Sequence, residues 1–101
     1  MFGRSRYAKV IEAQLDLFLR EHRDVIEEAR QRLELYNRSD RSDAEELYGD
    51  YVDAVETGTE ILAGMRDHYG ETLADQDEYV TAFNRAVSRR LPEFGVEIEN
   101  S

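Results

Sequence analysis

Carboxylates are the side chains in this sequence most able to do chemistry. Glu27 and Glu28 come first, then Glu46, Asp50, Asp53 and Glu56. Acids three apart, as in Asp50-x-x-Asp53 and Asp53-x-x-Glu56, lie about one turn apart on a helix. Aimed into a cleft, such a pair would hold Mg²⁺, a hard cation that takes oxygen ligands. The two histidines, His22 and His68, add imidazoles that can move protons near neutral pH or ligate metals. The remaining candidates are cationic: Arg4, Arg6 and Lys9 near the start, and Arg85, Arg89 and Arg90 near the end.

Pattern weakens most of these readings. The acid spacing resembles the Glu-x-x-Glu and Glu-x-x-Asp motifs with which all-α nucleotide pyrophosphohydrolases hold Mg²⁺. Here, however, the acids fall opposite the apolar stripe, where they read as a solvated face. His22 lies on an apolar stripe, so it reads as a packed residue. His68 lies in the last turn of a predicted helix, where a cation suits the negative end of the dipole. The Glu-x-x-His pairs of di-iron bundles are absent. No Ser or Thr has a His–acid partner pattern, and there is no glycine-rich phosphate loop. Without cysteine there is neither a disulfide nor a thiolate site. No catalytic residue, cofactor or metal is therefore expected. The arginine groups are expected to form salt bridges within an acidic protein, with DNA association as a lesser reading.

Three helices are expected to position these groups. The stripe Ile11, Leu15, Phe18, His22, Val25, Ala29, Leu33 and Tyr36 predicts one long helix over 5–36. Residues 1–5 precede it as an arm. Asn37 to Arg41 is polar and rich in turn-formers, which makes the next helix an antiparallel neighbour. That helix, over 42–69, carries Ala44, Tyr48, Tyr51, Val55, Gly58, Leu62, Met65 and Tyr69 at steps of four and three. Ser42 with Glu45 reads as a capping box, and Gly70 as a left-handed cap. Gly58, on the seam, predicts close approach of a neighbour. A third helix spans 77–91 and ends before Pro92. The tail 92–101 alternates Phe94, Val96 and Ile98 with polar residues and is expected to be extended. The fold class is thus all-α: a long antiparallel hairpin plus a shorter third helix, in one domain over 1–101.

The predicted helix lengths do not match. At 1.5 Å per residue they are roughly 48, 40 and 22 Å. The third helix can cover only half of the hairpin. The other half carries Val25, Ile26, Ala29, Leu33, Tyr36, Leu47, Tyr48, Tyr51 and Val52, a larger apolar patch than soluble monomers usually expose. These residues are expected to meet a second copy in a homodimer. The competing arrangement breaks the first helix near His22–Asp24 and folds into a compact four-helix monomer.

Charge sets the solvent. Acidic residues number 23 against 13 basic ones, the net charge is -10, and Lys9 is the sole lysine. This balance resembles that of proteins from organisms with molar intracellular KCl. Self-repulsion opposes compaction, and salt relieves it, since the Debye length falls to about 3 Å at 1 M. Acid excess also argues against sequence-independent nucleic-acid binding, because phosphate repels it. No apolar run approaches membrane-spanning length and no signal-peptide core follows Met1, so a cytoplasmic setting is expected. These features favour a small, acidic, non-enzymatic interaction or regulatory protein, homodimeric and adapted to high salt. The alternatives are an all-α Mg²⁺-dependent nucleotide pyrophosphohydrolase and a DNA-associated regulator.

Overall fold

The computed structural model describes residues 6–101. The expected arm, Arg4 and the helix start at Ser5 lie outside the described residues. The described chain is helical, with no strand among the described residues: α1 (Ala8–Glu21), α2 (Arg23–Asn37), α3 (Ala44–Gly70), α4 (Gln76–Arg90), a 3-10 turn (Pro92–Phe94) and α5 (Gly95–Glu99). It is elongated, 50 × 25 × 22 Å.

The predicted first helix is two helices. His22 adopts φ -126° and ψ 34° between them. Its N–H still donates to the Phe18 carbonyl at 2.8 Å, and its own carbonyl accepts from Val25 and Ile26. One residue therefore kinks the rod with little loss of hydrogen bonding. Past the kink Ile26 joins Ala29 on the inner face, both buried, and His22 and Val25 are left half-buried. A straight helix would have continued the Phe18–His22–Val25 stripe.

The tail is the second departure. Phe94 and Ile98 stand four apart on one helical face and are fully buried, while Val96 between them is 73% exposed. A lone strand would have left its backbone groups unpaired; a short helix pairs them internally. Pro92 sits in the first turn, where its missing N–H costs nothing. The 3-10 turn and α5 pack on both α3 and α4. Phe94 also meets Phe18 edge-on, with ring centroids 6.1 Å apart.

Gly58 has the close neighbour that the seam predicted, and the neighbour is the Phe94 ring from the tail. Gly70 departs from expectation. It is the last residue of α3, and Glu71 after it keeps a right-handed φ of -60°. What the glycine leaves there is space: an added Cβ would sit 3.2 Å from Gln76 Cγ. The capping box at Ser42 does not form. Asp40 instead braces the turn before α3, accepting from the Ser42 hydroxyl at 2.7 Å and from the Ser42 and Asp43 amides. Those bonds, the Ser42 hydroxyl foremost, hold the Asp40 carboxyl below its ordinary range.

Two halves result. Toward the end of α3, the core of Ile11, Leu15, Phe18, Leu62, Tyr79, Phe83, Val87, Leu91, Phe94 and Ile98 is enclosed by α1, α3, α4 and α5. Toward its start, α3 has α2 as its main neighbour.

Candidate functional site

The tip of the α2–α3 hairpin is where the core leaves its cover. Tyr36 of α2 and Tyr48 of α3 have ring centroids 5.2 Å apart, and Tyr48 and Tyr51 6.2 Å. The three rings form a tilted ladder, because Tyr48 and Tyr51 are one turn apart on α3 and Tyr36 comes across from the antiparallel helix. Tyr51, the inner rung, is half-buried. Burial first, then the Glu93 carboxylate and Tyr48, raises its phenol pKa. Tyr48, the middle rung, is 50% exposed. Gly49 beside it faces open space.

The expected interface residues divide. Ile26 and Ala29 are buried within this chain. Val25, Leu33, Tyr36, Leu47, Tyr51 and Val52 are half-buried, and Tyr48 is exposed. The tail covers the base of the patch: Arg30 Nε donates to Glu93 at 2.5 Å, and Phe94 seats against Gly58. What stays open is the stretch from Ala44 to Tyr51 with Leu33 and Tyr36 opposite, about 12 Å along the helix axis.

The carboxylates do converge in part, on the flank of the hairpin. Glu28, Asp50 and Asp53 line an open groove of about 260 Å³ with Arg32, Ala54 and Thr57. Arg32 stands among them, 2.6 Å from Glu28 and 3.9 Å from Asp50. The groove is thus an ion-paired surface. Among the described residues, no group of three or more His, Asp or Glu side chains is placed to hold a metal ion. His22 packs against the Phe18 ring at 5.5 Å, whereas His68 lies in the last turn of α3.

Several basic residues find partners across the fold. Arg6 pairs with Asp75 and with Glu78 at 3.4 Å. Arg90 reaches Asp16 at 2.8 Å. Helical spacing alone pairs Asp16 with Arg20 and Arg30 with Glu34. In the fold Asp16 goes to Arg90 and Arg30 to Glu93, partners that tertiary packing brings close, while Glu34 takes a different i,i+4 partner, Arg38.

Arg66 is the residue that sequence reading misses. Only 3% of it is exposed. It donates to Asn84 at 3.0 Å, to the Ile98 carbonyl at 3.1 Å and to the Ser101 main-chain oxygen at 3.1 Å, and it pairs with Asp67. A buried guanidinium with five donors thus ties α3, α4 and the end of α5 together. Its place four residues after Leu62, on the stripe, is the one signal that the sequence offers.

Among the described residues no helix is long and apolar enough to cross a membrane. No protein-family model, curated protein or solved structure matches the chain.

Proposed function

We propose that this protein is a small, non-enzymatic interaction protein that pairs with a second copy through the tip of the α2–α3 hairpin in a salt-rich solvent. One observation carries the reading. The Tyr51–Tyr48–Tyr36 ladder continues the buried core and leaves its middle ring, Tyr48, half-exposed. Aromatic side chains with one apolar and one wet end are the residues that contact surfaces favour. A twofold pairing of two such tips would bury the same rungs from both copies. The open face is small, so the pairing is weak, and two chains of charge -10 repel. High salt screens that repulsion while leaving aromatic burial intact.

Light-scattering mass with helical circular dichroism, read from about 0.1 to about 3 M KCl, tests this. The expected result is a helical monomer that becomes a dimer as salt rises, and a Tyr48→Glu variant that stays monomeric while equally helical. A wild-type mass that remains monomeric throughout overturns the pairing.

A further inference from the structure

The chain has six tyrosines and neither cysteine nor tryptophan, so a one-electron oxidant meets phenols rather than thiols or indoles. The six stand in two clusters of three. Tyr36, Tyr48 and Tyr51 form the ladder at the tip. Tyr7, Tyr69 and Tyr79 meet in the core, with ring centroids 5.5 Å apart for Tyr7 and Tyr79 and 5.0 Å for Tyr69 and Tyr79. The clusters are similarly close and differ in access. Tyr79, the ring that both core contacts share, is fully buried, and its hydroxyl donates to Gln14 Oε1. Tyr48, the ring that both tip contacts share, is half-exposed.

We propose that Tyr36 and Tyr48 form an oxidative coupling site, at which a one-electron oxidant joins the two rings into a dityrosine that staples α2 to α3. Each phenol gives one electron to the oxidant and one proton to water, leaving two phenoxyl radicals. Their unpaired electrons reside partly on the ring carbons ortho to oxygen. Two such carbons bond across the hairpin, and each ring then moves its ortho hydrogen to its oxygen, which restores both phenols. Two electrons and two protons leave, so the product is lighter by two hydrogens. Between separate molecules this coupling is limited by the meeting of two short-lived radicals. Here the ring centroids already stand 5.2 Å apart, so the joining step is unimolecular. Of the two contacts at the tip, this one is the closer and the one that spans two helices. The link closes the end of the hairpin where α3 has α2 as its main neighbour. It joins positions twelve apart in sequence and, as a disulfide does, removes freedom from the unfolded chain. The site uses one chain's own rings and needs no second copy.

The probe is ruthenium tris-bipyridyl with persulfate under visible light, acting on the full chain. The protein is kept dilute, at the lowest salt at which circular dichroism shows the native helix. The expected product has dityrosine fluorescence, the mass of one chain less two hydrogens, and a link that peptide mapping places between Tyr36 and Tyr48. Tyr48→Phe keeps the ring and removes the oxidisable hydroxyl, and should lower the yield at least about tenfold. Tyr69→Phe should leave it unchanged, because the core cluster is shielded by Tyr79. Unfolding in urea should lower the yield as far as Tyr48→Phe does, since the geometry and not the composition favours the pair. The stapled chain should unfold at a higher urea concentration than the untreated one. Absence of the link, a link chiefly between Tyr69 and Tyr79 or between chains, or a yield indifferent to Tyr48→Phe or to urea overturns the proposal. The mass measurement against salt judges the pairing of copies separately. A chain that pairs in high salt and gives no Tyr36–Tyr48 link keeps the pairing and loses the coupling site. A chain monomeric at every salt that gives the link does the reverse.

Discussion

Gly58 and Phe94 occupy one volume that a single methyl group would overfill. A Cβ built at Gly58 would come within 2.8 Å of Phe94 Cζ and closer still to Cε1. The ring has no room to retreat, since it is fully buried and backed by Phe18.

Two effects therefore compete in Gly58→Ala. Alanine gains about 1 kcal/mol in a helix interior. Overpacking a closed site costs about 1–3 kcal/mol. The expected net result is a loss of about 1 kcal/mol, read by urea denaturation. The same substitution should cost less in a Phe94→Leu background, because the smaller side chain vacates the contested space. Additive effects would show that the ring is not the obstacle.

Arg66→Met keeps the bulk and removes every donor. The Ile98 and Ser101 oxygens and Asn84 Oδ1 then lose their shared partner. The expected cost is roughly 3 kcal/mol, since removing one member of a buried charged network leaves the others desolvated and unpaired. Arg66→Lys should recover only part of it, because a single ammonium cannot reach both the α5 carbonyls and Asn84 in the guanidinium's fork geometry. Amide hydrogen exchange should quicken first in residues 95–101. Uniform quickening across all helices would show instead that Arg66 supports the whole core.

Tyr79 makes stability depend on alkaline pH. Its hydroxyl donates to Gln14 Oε1 at 2.8 Å inside the core. Burial, its largest influence, pushes the phenol from its ordinary value of 10.0 up to about 12, against a smaller downward pull from the Gln14 bond. The folded state thus favours the neutral phenol. That contribution is intact below about pH 10 and is lost as pH climbs toward the folded value. The urea midpoint should fall between about pH 9 and about pH 11. Tyr79→Phe, which has no proton to lose, should flatten part of that fall. Tyr51, raised in the same direction, accounts for part of what remains.

Much of the helical content was legible from spacing alone. Ile11, Leu15 and Phe18 on α1, Val55, Gly58 and Leu62 on α3, and Tyr79, Phe83 and Val87 on α4 recur at helical intervals and are buried. The closeness at Gly58 was legible as well, since a glycine on an apolar seam is tolerated only where something approaches. The identity of the neighbour was not, because Phe94 lies 36 positions later, beyond a proline and in a segment whose alternation suits a strand as well as a short helix. The length mismatch raised a break near His22–Asp24 only as the competing arrangement, and His22 itself carries no helix-breaking signal. It is neither glycine nor proline, and the kink follows from what α1 and α2 pack against rather than from local preference.

The tip was half legible. Mismatched helix lengths showed that one part of the hairpin would lack cover, and Tyr48 is indeed exposed. They did not show that Phe94 and Glu93 would close the base of the patch and leave a smaller opening. The sequence by itself determined the periodic apolar faces, the turn between α2 and α3, the end of α4 before Pro92 and the acid excess, because each is a property of neighbouring residues or of a sum over all of them. Only the tertiary structure decided the break at His22, the folding of the tail onto α3, the burial of Arg66 and the choice of Arg90 for Asp16. Each depends on which distant groups meet, and that is settled by the packing of the whole chain.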